Sequence, residues 1–220
     1  MTTTPRPPLE IKRLILMPAL VTLAVTVVRL VGELVHGPQS LFNSAAGGAG
    51  AIVGIVWLAP VFGIYFALKL ASGGEGPKSL GRAMGFALLG AAVMIGLSFL
   101  GSKLIHPSAL EERHLFIWGV FALSALITLP GWPALFRTLL AYGYAARVPV
   151  ALVAFLAFWG NWGTHYDRVP PELPEHWGWL MKFLWLGLIP QLIVWVAFTV
   201  LAGMLCGSLA AGVARLVRRA

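Results

Sequence analysis

The chain has 220 residues, 59% of them hydrophobic and 11% charged, with a formal net charge of +8. Soluble domains carry about 25% charged and about 45–50% apolar residues, so this composition excludes a water-soluble surface and points to a multi-pass helical membrane protein. The basic residues sit at the ends of apolar runs, not on one face or stripe, which excludes nucleic acid as the partner and makes them topology determinants in a lipid bilayer.

The expected fold class is all-α: one polytopic integral membrane helix bundle of about six transmembrane helices, with both termini cytoplasmic. Residues 1–13 form a Pro-rich polar cytoplasmic tail. The first span covers 14–35, inside a transmembrane domain of 14–205. About 20 residues at 1.5 Å rise cross about 30 Å of hydrocarbon, so this run suffices. It is too long for a signal-peptide core and no small-residue cleavage site ends it. His36-Gly-Pro38 stops it. Arg29 and Glu33 lie within it, four apart on one helical face.

A Gly/Ala-rich stretch, 45–51, leads into a second span over 51–71. Gly50 and Gly54 have the small-xxx-small spacing that lets helices approach closely, and Pro60 is expected to kink the helix. Residues 72–78 read as a loop. The third span is 81–104, where Gly81, Gly85, Gly90 and Gly96 give a thin face expected to pack in the bundle interior. Glu111-Glu-Arg-His114 precedes a short fourth span, 115–129. Pro130-Gly-Trp-Pro133 either kinks a long span or ends the fourth one. The second reading is favoured, with an interfacial helix over 134–147, because Arg137, Tyr142, Tyr144 and Arg147 suit the headgroup level. The fifth span is 148–162. The sixth is 180–205, with Pro190 and Gln191 in its middle, followed by a basic cytoplasmic extension over 206–220 that continues the helix. Weak similarities between Pro18-Ala-Leu-Val and Pro149-Val-Ala-Leu-Val, and between Trp57-Leu-Ala-Pro60 and Trp185-Leu-Gly-Leu-Ile-Pro190, raise the question of an internal repeat.

Orientation follows from Lys and Arg. Arg6, Lys12, Arg13, Lys69, Lys78, Arg82, Arg137, Arg147, Arg215, Arg218 and Arg219 fall on one side, and Lys103, Arg113, Arg168 and Lys182 on the other. The first set belongs in the cytoplasm, as in a bacterial-type inner membrane. All five histidines and six of the eight acids then lie outside.

The densest chemistry is in the loop 159–177, Trp159 to Trp177. Its aromatic residues suit an interfacial belt. Gly160 and Gly163 with Pro170, Pro171 and Pro174 also suit a rigid cap over a cavity between the spans. Asn161, Thr164, His165 and Asp167 would line its mouth. Arg29 is the most informative single charge, because a charge inside a span costs about 2.5–3.5 kcal/mol on insertion scales and marks a structural pair or a wet cavity. Pro190 beside Gln191 resembles the broken helices of solute sites. The expected ligand-binding set is therefore Arg29, Glu33, Asn161, His165 and Asp167. His165, Asp167 and His176 form a candidate metal set for a transition metal, a chemistry that His and carboxylate ligands suit. Glu33-x-x-His36 and Glu111-x-x-His114 each put two ligands on one face.

Cys206 lies in an apolar run, excludes an internal disulfide or Cys-based metal cluster, and reads as a packing residue. No phosphate loop, Gly-x-Ser-x-Gly, His-Glu-x-x-His or Cys-x-x-Cys pattern is present. The leading functional expectation is a small transporter, permease-like protein or accessory membrane subunit with a polar site in the outer half. The alternatives are a membrane-embedded enzyme using the outer His/carboxylate residues, and a structural partner that forms homo- or hetero-oligomers through Gly-rich faces.

Overall fold

The computed structural model of the chain describes residues 10–48, 50–106 and 109–218. Most of the polar tail, with Arg6, and Pro107 and Arg219 lie outside the described residues. The rest is all-α. Six helices follow one another: α1 (Ile11–Leu34), α2 (Leu58–Ser72), α3 (Leu80–Leu104), α4 (Leu110–Ile127), α5 (Pro133–Gly160) and α6 (Trp179–Val217). Four of them, α1, α3, α5 and α6, are long and apolar enough to cross a membrane. Large apolar side chains point away from the protein, including Met17 at 64%, Ile95 at 65% and Phe99 at 65% exposure. Such a surface is stable in lipid, not in water. The chain is an integral membrane protein with about four spans, and a lipid bilayer is its surroundings.

α1 starts and stops close to its expected bounds. Beyond Leu34 the chain turns through a left-handed His36 (φ 56°). The His36 and Gly37 N–H groups donate to the carbonyls of Glu33 and Gly32 at 3.1 and 2.8 Å, closing the last turn. The ring of Phe42 then folds onto Gly32, where a Cβ would lie 2.3 Å from the ring.

α2 departs from expectation. It begins at Leu58, not at residue 51, and Pro60 falls in its first turn. A missing N–H costs nothing there, so Pro60 starts the helix instead of kinking it. Gly50 (φ 81°) and Gly54 are not helical. Segment 50–57 is irregular: Ile52 and Val53 donate to the carbonyls of Ser40 and Leu41, and the carbonyls of Ile55 and Val56 accept from Leu58 and Ala59 at the start of α2. The close helix crossing lies elsewhere, between α2 and α6. A Cβ on Gly63 would stand 2.3 Å from Gly203 Cα, and one on Gly207 would stand 2.7 Å from the Gly63 carbonyl. Small residues let these backbones touch, which supplies packing where lipid offers no hydrophobic drive.

α3 is not the interior helix. Only 17% of its apolar window is buried, against 44% for α5 and 50% for α6. A Cβ would meet nothing at Gly85 or Gly96, whereas Gly90 meets α4 at the Ser124 carbonyl and Gly101 meets Phe116. Glycine spacing alone did not identify the packed face.

The Pro130–Pro133 turn ends α4, as favoured, but no separate interfacial helix follows. Residues 134–147 and 148–162 belong to one 28-residue helix, α5, with Pro133 at its first position. The aromatic and basic residues that suggested the interface face inward: Tyr142 Oη lies 2.8 Å from Thr22 Oγ1 on α1, and Arg147 is 4% exposed. Trp132, 1% exposed, anchors the turn by donating to the Glu75 carbonyl at 2.9 Å.

α6 is a single 39-residue helix, about 58 Å at 1.5 Å per residue. The helix continues through residues 206–217, as expected, and Gly207, Ser208 and Ala211 on it are buried. The helix widens into π turns over Phe183–Leu188 and Pro190–Val194. The wider turn accommodates Pro190, which cannot donate to the helical ladder.

Candidate functional site

The last two turns of α1 present Arg29 and Glu33 to the loops at one end of the bundle. Arg29 Nε donates to Glu33 Oε1 at 2.9 Å. Its Nη2 donates to the carbonyls of Gly48 and Asn43 at 2.9 and 3.1 Å. Glu33, whose side chain is fully buried, also receives the loop 161–178: the His165 backbone N–H donates to Oε2 at 2.8 Å and Nδ1 lies 2.5 Å from Oε1. The α1 end, the 43–48 stretch and the 161–178 loop are thus tied together by one carboxylate and one guanidinium. A proton on Nδ1 fits this contact, leaving Nε2 as the bare nitrogen of the neutral ring. Burial, joined by the Arg29 charge, lowers the His165 pKa below the ordinary imidazole value, against the opposing hydrogen bond to Glu33.

The loop has its own frame. Asn161 ends α5 in a left-handed conformation (φ 50°). The Asp167 carboxylate then accepts the N–H groups of Gly163 and Thr164 at 2.8 and 2.7 Å and the Thr164 hydroxyl at 2.7 Å. This self-closed turn holds His165 toward α1. The Tyr166 ring packs tilted against the His165 ring, centroids 3.8 Å apart and planes at 42°, and its hydroxyl faces the Thr26 carbonyl at 3.5 Å. Burial raises the Tyr166 pKa, keeping the phenol neutral. Arg168 reaches the Ser44 carbonyl at 3.4 Å, a second link between the two loops.

Beneath these loops lies a cavity of about 630 Å³, walled by α1, segment 46–57, α5 and α6. Irregular backbone at membrane depth is tolerated where it lines such a space. Arg147 projects into it from the middle of α5, fourteen residues after Pro133 and thirteen before Gly160. Its Nη1 donates to Gln191 Oε1 at 3.3 Å, and its guanidinium sits 4.9 Å from the centre of the Trp195 ring. Both partners come from α6, within or just after the second π turn, where such widened turns often mark functional positions.

The sequence-derived set divides accordingly. Arg29 and His165 line the cavity; Glu33 stands behind them as their shared acceptor; Asp167 shapes the loop. Asn161 is exposed and serves as a helix end, not as a lining residue. The metal set His165, Asp167 and His176 is not brought together. His165 faces Glu33, Asp167 turns onto its own loop, and His176 is exposed. Among the described residues no group of three or more His, Cys, Asp or Glu is arranged to hold a metal ion. Nor do the Glu-x-x-His pairs act as pairs: Glu33 meets His165, and His114 packs between Trp118 and Trp185.

Arg147, expected at the cytoplasmic boundary, is instead buried near the middle of α5, as is Tyr142 five positions before it. The available signal was Pro133, a helix-starting residue, fourteen positions before Arg147.

No family model, curated protein or solved structure matches the chain.

Proposed function

We propose that this chain is a permease-like membrane protein, or the solute-binding subunit of one, and that the cavity under the 161–178 loop is its binding site. The observation that carries the reading is the cavity itself: about 630 Å³, bounded on one side by non-helical backbone and holding the buried Arg147 from the middle of the apolar helix α5. A structural bundle gains nothing from such a space, and a charge at mid-span is costly unless it faces water or a ligand. On this reading α2 and α4 complete six crossings, with segment 50–57 covering the depth that the 15-residue α2 does not. The basic end, with Lys69, Lys78, Arg82, Arg215 and Arg218, is cytoplasmic, and the cavity opens in the outer half of a bacterial-type inner membrane. The open glycines of α3, Gly85 and Gly96, leave a face on which another helix could pack.

The test is cysteine accessibility in a Cys206→Ser background. A membrane-impermeant maleimide added from outside should label Ala51→Cys and Leu186→Cys, which line the cavity, and spare Ile95→Cys, which faces lipid. Failure to label the first two while a site in the 161–178 loop labels would remove the proposal.

A further inference from the structure

We infer, resting on the cavity reading above, that the ligand is an amphiphile with a single anionic head, a carboxylate or phosphate monoester, and that Arg147 receives that head. The charges on the page lead there. Arg29 is neutralised by Glu33 and has further bonds to two carbonyls. Arg168 is exposed and engaged by the Ser44 and Gly163 carbonyls. Arg147 is 4% exposed, yet among the described residues it has no carboxylate within salt-bridge distance and one hydrogen bond, to Gln191. A guanidinium carries five N–H donors, so most of this buried group's donors open on the cavity. Among the described residues none that lines the cavity is acidic.

Buried charges are ordinarily paired, and an anion from the ligand supplies the missing partner. Gln191 and Trp195 fix the plane of the fork, as bidentate recognition of carboxylate or phosphate requires. Arg29, His165 and Arg168 stand on the loop side of the cavity, and an apolar wall of Ile55, Val56, Val150, Ala154 and Leu186 faces the rest of it. That lining suits an alkyl chain and offers little to a fully hydrated ion. An anionic head at mid-depth with an apolar tail satisfies both walls together.

The experiment uses the full chain in nanodiscs of zwitterionic lipid, titrated with decyl phosphate, decanoate, decanol, decyltrimethylammonium and inorganic phosphate. The two anionic amphiphiles should bind saturably, about tenfold or more tighter than decanol, with no saturable binding of the cation or of inorganic phosphate. Arg147→Gln should abolish the preference over decanol, while Arg147→Lys keeps the preference with weaker binding. On the unaltered protein, decyl phosphate should slow phenylglyoxal modification of Arg147, read by peptide mass spectrometry, so the test does not depend on either variant folding. Equal binding of decanol and decyl phosphate, equal binding of inorganic phosphate, or no protection of Arg147 would overturn the assignment. If Ala51→Cys and Leu186→Cys still label, only the ligand class falls. If they do not, the cavity reading falls with it.

Discussion

His165 Nδ1 stands 2.5 Å from Glu33 Oε1, across 132 positions of sequence. Through this contact the loop after α5 is held to the end of α1, and the carboxylate that receives it is the same one that neutralises Arg29. This buried acid is therefore the principal tie between α1 and the roof of the cavity, beside the longer contacts of Tyr166 with Thr26 and of Arg168 with Ser44.

Glu33→Gln should be strongly destabilising. Removing one partner of a buried charged pair leaves the other uncompensated and typically costs about 3–5 kcal/mol. Thermal or denaturant unfolding in detergent should show a loss of that order. Arg29→Met added to Glu33→Gln should recover part of it, because the two losses are coupled. A single-variant loss below about 1 kcal/mol, within the range of exposed pairs, would show that the pair is solvated.

Acidification should weaken the fold through His165. Its imidazole is held below its ordinary pKa by burial, so the unfolded chain takes up a proton before the folded one does. Stability rises with pH wherever the unfolded state binds more protons. The contribution is complete above the unfolded value of about 6.5 and is lost as pH falls from there toward the lowered folded value. Glu33, Arg29 and Asp167 are the charged groups around the ring. The melting temperature should drop on going from about pH 7 to about pH 5, and His165→Asn, which retains a donor toward Glu33, should show a flatter profile. A profile identical to that of the parent would assign the drop to other groups.

The helix crossing gives a paired prediction. Gly63→Ala puts a Cβ against the Gly203 backbone, which cannot swing aside as a side chain can. Overpacking of this kind costs about 1–3 kcal/mol. Gly96→Ala, with open space at the same position, should be neutral or stabilising by up to about 1 kcal/mol from helix propensity. Equal effects of the two substitutions would contradict the packing described.

Asp167→Ala should loosen the loop. It removes the acceptor of two backbone N–H groups and the Thr164 hydroxyl, and a buried donor left unsatisfied costs about 1–3 kcal/mol. Limited proteolysis should cut the 161–178 loop faster in this variant, while the far end of the bundle, tied by Trp132 to the Glu75 carbonyl, keeps its resistance.

Composition made the helical membrane class legible, and the i,i+4 spacing of Arg29 and Glu33 made their pairing legible, because both depend on local properties of the chain. His165 was legible as a site residue, but its partner was not: that contact depends on how two distant loops meet. Pro60 and Pro133 were read as interruptions, although proline is also at home in a first helical turn, and only the neighbouring packing decides between the two. The same limit applied to glycine. Gly63, Gly203 and Gly207 mark the tight crossing, while the more regularly spaced glycines of α3 mostly face outward. Arg147 was misassigned because an arginine near tyrosines fits a headgroup boundary as well as it fits a wet cavity, until the length of α5 is known.

The most direct measurement is hydrogen–deuterium exchange of the peptide spanning residues 50–57, with the protein in a lipid bilayer. If this stretch is irregular backbone along a wet cavity, amides that donate to no backbone carbonyl among the described residues, such as those of Gly54 and Trp57, should exchange within minutes, while those of 63–70 in α2 stay protected for hours. Protection of 50–57 matching that of 63–70 would mean a continuous membrane helix through this stretch, and the cavity with its buried arginine would not exist as described.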